Sequence, residues 1–188
     1  YRNNGDGTFS DMAMQAGVSN NLLRTIGVVW GDYDRDGWPD LYVVNFRDQN
    51  ALYHNNGDGT FSDVTAAAGV GQPYMSFIAF FFDFNNDGQL DLYASSWNGD
   101  TKETVQSMVS DEPAHIEDRP ALYRNNGDGT FTNLTESAGL ARSFGSMAAI
   151  YGDVDYDGLQ DIYLANGGPP MDRFEPDLLF FNHDGEHF

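Results

Sequence analysis

The chain has 188 residues and a formal net charge of -20, from 29 acidic against 9 basic side chains, which excludes the basic footprint that nucleic acid or an anionic lipid surface requires. Hydrophobic residues at 40% and aromatic residues at 14% specify a packed globular protein rather than a disordered one. Cysteine is absent, which rules out disulfides and thiolate metal sites, and no apolar run approaches the roughly 20 residues that span a bilayer.

The first element in chain order is "YRNNGDGTFSDMAMQAGV" from Tyr1, and it returns as "YHNNGDGTFSDVTAAAGV" from Tyr53 and "YRNNGDGTFTNLTESAGL" from Tyr123, with a degraded copy, "FFNHDGEHF", from Phe180. Its centre carries the Asp-Gly signal of a tight hairpin, and its end predicts a single helical turn stopping at Gly17, Gly69 or Gly139. Interleaved with it is a second motif: "GDYDRDGWPDLYV" from Gly31, "FDFNNDGQLDLYA" from Phe82 and "GDVDYDGLQDIYL" from Gly152. From the first Asn of each hairpin motif to the first Asp of the next acidic motif is 29, 28 and 28 residues. From Asp40, Asp91 or Asp161 to the next aromatic of the repeat, the gap varies over 13, 32 and 19 residues. Insertions confined to one point of a repeat map to one face of the assembly.

Around each acidic motif the residues read as strands. "IGVVWGD", "FIAFFFD" and "MAAIYGD" are short apolar runs expected to be buried on both faces, and "DLYVVN", "DLYASS" and "DIYLAN" return from the loop. Four strands per roughly 50 residues predict an all-β protein, a partial β-propeller of about three and a half four-stranded blades. Residues 1–23 are expected to end one blade, 24–73 and 74–143 to form two blades, the second with an insertion at 97–121, and 144–188 an incomplete blade. Both ends carry the same strand and duplicate each other, so the 188 residues read as one propeller fragment whose remaining blades belong to a longer parent chain. Tyr42, Tyr93 and Tyr163 recur at equivalent strand positions and are expected to pack between blades.

Numbered from its first Asp, each acidic loop places side-chain oxygens at positions 1, 3, 5 and 9. These are Asp32, Asp34, Asp36 and Asp40; Asp83, Asn85, Asp87 and Asp91; and Asp153, Asp155, Asp157 and Asp161. Position 6 is Gly37, Gly88 or Gly158, allowing a sharp turn, and position 7, Trp38, Gln89 or Leu159, would offer a backbone carbonyl. Hard oxygen donors in this number suit Ca²⁺, about three ions in all, better than Mg²⁺ or zinc. An EF-hand would need a bidentate Glu at position 12 and flanking helices, whereas position 12 is Val43, Ala94 or Leu164 and the flanks read as strands. The expected sites are calcium-binding hairpin loops. The Asp residues of "NNGDGTF", Asp6, Asp58 and Asp128, are expected to serve their own turns. The histidines are scattered except for His183 and His187, which belong to a turn.

The "DxDxDGxxD" loops between apolar strands, with "SFGSMAAIYGD" before the third, resemble the FG-GAP/VCBS repeat and are similar to the calcium-binding blades of integrin alpha-subunit propellers. The added "LYRNNGDGTFxxxTxxAGL" resembles in particular the ASPIC/UnbV group, which includes cartilage acidic proteins. This resemblance implies a noncatalytic extracellular module that binds protein or glycan through its variable loops. A propeller domain of a secreted lyase or dehydratase acting on polysaccharide or sugar is the alternative, although no Ser-His-Asp arrangement or histidine metal cluster is visible to support it. The loops at 97–121, with the chain's single lysine Lys102, and at 167–177 are the expected partner-binding segments. Calcium loops without a bidentate Glu are expected to bind modestly, which suits an extracellular, periplasmic or cell-surface location.

Overall fold

In Leu41-Tyr42-Val43-Val44 successive side chains leave the strand on opposite sides, and all four are apolar, so this strand has to be covered on both faces. The computed structural model, which describes residues 1–19, 23–97, 119–167 and 175–188, meets that demand by setting small antiparallel sheets face to face. β1 (Arg2–Asn3) pairs with β2 (Phe9–Ser10). β3 (Thr25–Gly31), β4 (Asp40–Asn45), β5 (Ala51–Asn55) and β6 (Phe61–Asp63) form a four-stranded sheet in sequence order. A one-turn helix, α1 (Thr65–Ala68), leads to a second sheet of β7 (Ser76–Phe82), β8 (Asp91–Ser96), β9 (Ala121–Asn125) and β10 (Phe131–Asn133). β11 (Ser146–Gly152), β12 (Asp161–Asn166) and β13 (Leu178–Phe180) make a three-stranded sheet.

The core lies between sheets. Tyr42, Val44 and Leu52 of the first four-stranded sheet meet Phe81, Leu92 and Tyr123 of the second. On the opposite face of that second sheet, Phe80, Phe82, Tyr93 and Leu122 meet Phe144, Ile162 and Leu164. Leu41, Val43, Ala51 and Tyr53 form a third cluster with Val18. Each fully buried side chain of this size contributes roughly 1.5–3 kcal/mol, so face-to-face stacking accounts for the gain that a single twisted sheet lacks. The first strands of neighbouring sheets adjoin, β7 lying beside both β3 and β11, so the sheets radiate from a shared inner edge in a propeller-like arrangement. Among the described residues no closed ring is seen, and no helix is long and apolar enough to cross a membrane.

Two expectations about burial need correction. The strands covered on both faces are the second ones, β4 and β8, in which every residue is buried. β3 and β11 are largely exposed, with Val28, Trp30 and Ile150 each more than half accessible. The cause is position: β7 has a sheet on each side, whereas β3 and β11 have a described neighbour on one side only. For the same reason Tyr163 departs from Tyr42 and Tyr93. The latter two are buried, while Tyr163 stays partly exposed and donates its hydroxyl to Asp177 Oδ2 at 2.8 Å.

Candidate metal centre

The acidic loops join the first strand of each sheet to the second, β3 to β4, β7 to β8 and β11 to β12, so both flanks are strands and not helices. Val43, Ala94 and Leu164, at the place where an EF-hand needs its glutamate, are buried in the core. Each loop turns through two left-handed residues. Position 4 is Arg35, Asn86 or Tyr156 with φ of 60°, 56° and 65°, and position 6 is Gly37, Gly88 or Gly158 with φ of 91°, 82° and 92°. A non-glycine residue held there costs on the order of 1 kcal/mol, and the shape recurs three times.

The turn folds side chains back onto its own amides. The Gly37 and Gly158 amides donate to Asp32 Oδ2 and Asp153 Oδ2 at 3.0 and 3.1 Å. The amides of Trp38, Gln89 and Leu159 donate to Asp36, Asp87 and Asp157, each at 2.8 Å. At position 9 the carboxylate is buried and clasps two backbone amides: Tyr33 and Asn55 for Asp40, Phe84 and Asn125 for Asp91, Val154 and Asn182 for Asp161. These aspartates therefore close the loop onto the third strand of the sheet or the residues just after it. Burial is the main cause that pushes Asp40 up to about 6 and Asp91 up to about 7, with neighbouring loop carboxylates adding to it against the two amides. A divalent cation among these oxygens reverses that balance by favouring the ionised form.

The fit to a cation rests on atoms left over when all these bonds are counted. Asp32 Oδ1 and Asp153 Oδ1 are buried and accept no hydrogen bond. Oxygens of Asp32, Asp34 and Asp36 lie within 4.8 Å of one another, as do those of Asp153, Asp155 and Asp161. Buried carboxylate oxygens without partners are unfavourable unless a cation compensates them, so the donor sets of the first and third loops suit an oxygen-seeking divalent ion. The middle loop differs: the Asp87 amide donates to Asp83 Oδ1 at 3.1 Å, and Asn85 Nδ2 donates to Asp87 Oδ2 at 3.0 Å. Its oxygens are already partly satisfied within the protein.

A model of the FG-GAP-like repeat matches residues 1–43, 32–94 and 108–164, spans that between them contain all three acidic loops. The chain belongs to the FG-GAP-like repeat family. Cartilage acidic protein 1 of Homo sapiens is 39% identical over 90 residues, covering 47% of this chain and 14% of that protein. The Mus musculus protein of the same name is 38% identical over 90 residues, and that of Xenopus tropicalis 32% over 91, again across 14% of each relative. This FG-GAP-like chain thus aligns with about one seventh of the length of the relatives it matches.

Three groups of the FG-GAP-like site escaped sequence reasoning. The first Asn of the hairpin motif, to which the sequence reading gave no role, ties loops of adjacent sheets together at Asn125 and Asn182. Asn125 Nδ2 donates to Leu90 O of its own sheet at 3.0 Å and to Tyr33 O of the preceding loop at 2.7 Å. Asn182 Nδ2 does the same toward Gln160 O and Phe84 O, at 3.3 and 2.7 Å. Position 4 also reaches forward: Asn86 Nδ2 donates to Gly158 O at 2.7 Å, and the Arg35 guanidinium covers Gly88 so closely that a Cβ there would stand 2.6 Å from it. The recurrence of Asn3, Asn55, Asn125 and Asn182 was the available signal. His54, read as one of the scattered histidines, is instead brought against Asp34 and Asp40. The Asp residues of the hairpins stay with their turns, Asp58 Oδ1 accepting from both the amide and hydroxyl of Thr60 at 2.9 and 2.6 Å. His183 and His187 lie in a terminal turn, where His187 Nδ1 stands 2.9 Å from Asp184 Oδ2. Lys102 and nearly all of the two proposed partner loops, residues 98–118 and 168–174, lie outside the described residues.

Proposed function

We propose that this chain is the calcium-binding part of a noncatalytic, extracellular-type FG-GAP propeller, with one Ca²⁺ in each acidic loop and a protein or glycan partner bound through the segments at 97–121 and 167–177. The observation that carries the reading is the pair of buried, unpartnered oxygens, Asp32 Oδ1 and Asp153 Oδ1, each within an acidic loop of ligand spacing. Side chains at positions 1, 3, 5 and 9 with the carbonyls of Trp38, Gln89 and Leu159 would hold the ion, and calcium would neutralise repulsion among the clustered carboxylates. Similarity to proteins named cartilage acidic protein 1 supports the extracellular setting. So does the donor set, because loops without a bidentate glutamate fill at the calcium levels of extracellular modules, about 10⁻⁴ to 10⁻³ M.

Calcium titration by calorimetry tests the reading. Three binding events are expected, the weakest at the middle loop. No calcium heat at millimolar concentrations, or filling already at submicromolar calcium in a protein retained in the cytosol, would overturn the metal and the location respectively.

A further inference from the structure

Position 4 of each acidic loop sits between two of the expected ligands, but in the first two loops its side chain leaves the loop and lands on the position-6 glycine of the next one. Asn86 Nδ2 donates to Gly158 O at 2.7 Å, and the Arg35 guanidinium lies against Gly88. A carbonyl only accepts, so Asn86 meets it through its side-chain N–H. Gly158 is in turn what aims the third loop's carboxylates. Its own amide donates to Asp153 Oδ2 at 3.1 Å, and the amide of Leu159, which belongs to the same peptide group as Gly158 O, donates to Asp157 Oδ1 at 2.8 Å. A donor on the carbonyl side of a peptide strengthens the bond made by its N–H, because hydrogen bonds in series polarise one another. Asn86 therefore acts on two carboxylates that it does not touch, and one of them, Asp153, is the residue whose Oδ1 stays buried and unpartnered. A second contact joins the same two loops. Asn182 Nδ2 donates to Phe84 O of the middle loop and to Gln160 O of the third, while the Asn182 amide donates to Asp161 Oδ1 at 2.9 Å. Tyr156 supplies the contrast: it holds position 4 of the third loop at a φ of 65°, but its side chain is 91% exposed, and no further acidic loop follows among the described residues.

We propose that Asn86 is a positioning residue for the third loop, holding Gly158 so that Asp153 and Asp157 are preset for a cation, and that the middle and third sites are thereby coupled rather than independent. This rests on the reading of the loops as cation sites and adds to it a residue that ligates nothing. Occupation of the middle loop fixes the turn that carries Asn86, and a fixed Asn86 spares the third loop part of its ordering cost. By linkage, the factor by which one filled loop favours its neighbour is returned by that neighbour. The first loop makes the corresponding contact with a charged side chain. Arg35 brings a positive charge to the middle loop, which adds to the reduced carboxylate count there in opposing a cation.

The test is a calcium titration of the whole chain by ¹H–¹⁵N NMR, which reads the Gly37, Gly88 and Gly158 amides separately, in wild type, Asn86→Gly and Tyr156→Gly. Glycine keeps the left-handed turn and removes only the side chain, so backbone strain is not introduced. Tyr156→Gly measures what that exchange costs a loop whose position 4 stands in solvent. Asn86→Gly is expected to raise the third-loop calcium midpoint about threefold and to leave the first loop unmoved, whereas Tyr156→Gly affects at most its own loop and less strongly. In the metal-free chain the Leu159 amide is expected to exchange with solvent about threefold faster in Asn86→Gly. A third-loop midpoint that stays in place or falls in Asn86→Gly overturns the proposal, and so does an equal rise in all three loops, which would mark a general loosening. If no loop of the wild type responds to calcium, the calcium reading fails. The Leu159 exchange then decides the positioning role alone: faster exchange upholds it and unchanged exchange overturns it.

Discussion

The first and third acidic loops each keep a buried carboxylate oxygen without a partner, whereas the middle loop has satisfied its own with an amide of the turn and with Asn85. The exchange of carboxylate for carboxamide at Asn85 accounts for the second of these bonds, to Asp87 Oδ2, while the first comes from the backbone. Asn85 removes a charge and supplies an N–H donor at the same point, so it does locally a small part of what a cation would do. The comparison teaches that dependence on metal is graded from repeat to repeat within one fold. It also bears on cohesion, because the middle loop meets the third sheet through Phe84 O and Gly158 O and is linked to the first loop by Asn125, which donates to both Leu90 O and Tyr33 O.

The largest expected effect is that of removing calcium altogether. Each site filled at a hundredfold its dissociation constant stabilises the fold by about 2.7 kcal/mol, so a chelator should lower the melting temperature clearly in differential scanning calorimetry. An unchanged midpoint would remove the contrast between loops, since none would then depend on an ion.

Next is the bridge between loops. Asn125→Ala leaves two carbonyls, Leu90 O and Tyr33 O, without their donor in a buried setting and should cost about 2–3 kcal/mol in urea unfolding. Asn55→Ala removes a donor to Pro39 O in a more exposed place and should cost clearly less. Equal losses would mean that the cross-sheet bond to Tyr33 O contributes nothing.

The loops themselves are separated by exchanging the distinguishing residue. Asn85→Asp should tighten the middle site roughly tenfold, equivalent to about 1.4 kcal/mol, and should destabilise the metal-free chain through added repulsion. Asp153→Asn should eliminate a tighter site than Asp87→Ala does. If Asp87→Ala removes the tightest step of the calcium titration, the charge ranking is wrong.

The smallest effect belongs to the hairpin turns, which the acidic loops outnumber in charge. The Thr60 hydroxyl, with its amide, holds Asp58 below the usual carboxylate range, so the turn is stabilised while Asp58 is ionised. A folded-state value below the unfolded one means that this stabilisation is complete at neutral pH and lost as pH falls through the folded value. Thr60→Val should therefore be slightly less stable than wild type at pH 7, and the two should converge in acid. A difference that persists at low pH would assign the effect to something other than the carboxylate.

What the sequence by itself determined was everything local to a repeat. The oxygens at alternate positions around Gly37, Gly88 and Gly158 lie within nine residues of one another, so covalent spacing brings them together whatever the rest of the chain does. The apolar runs on either side of each loop declared strands, although the runs before the loops were expected to be covered on both faces and it is β4 and β8, after them, that are. Only the tertiary structure decided which residues meet across the variable gaps, within a sheet or between sheets. His54 reaches Asp34 and Asp40, and Asn125 reaches Tyr33, over separations that include the variable gaps between repeats, and no spacing rule carries across those. The exposure of β3 and β11 was equally illegible: their composition matches that of β7, and what differs is whether a neighbouring sheet lies on one side or on both.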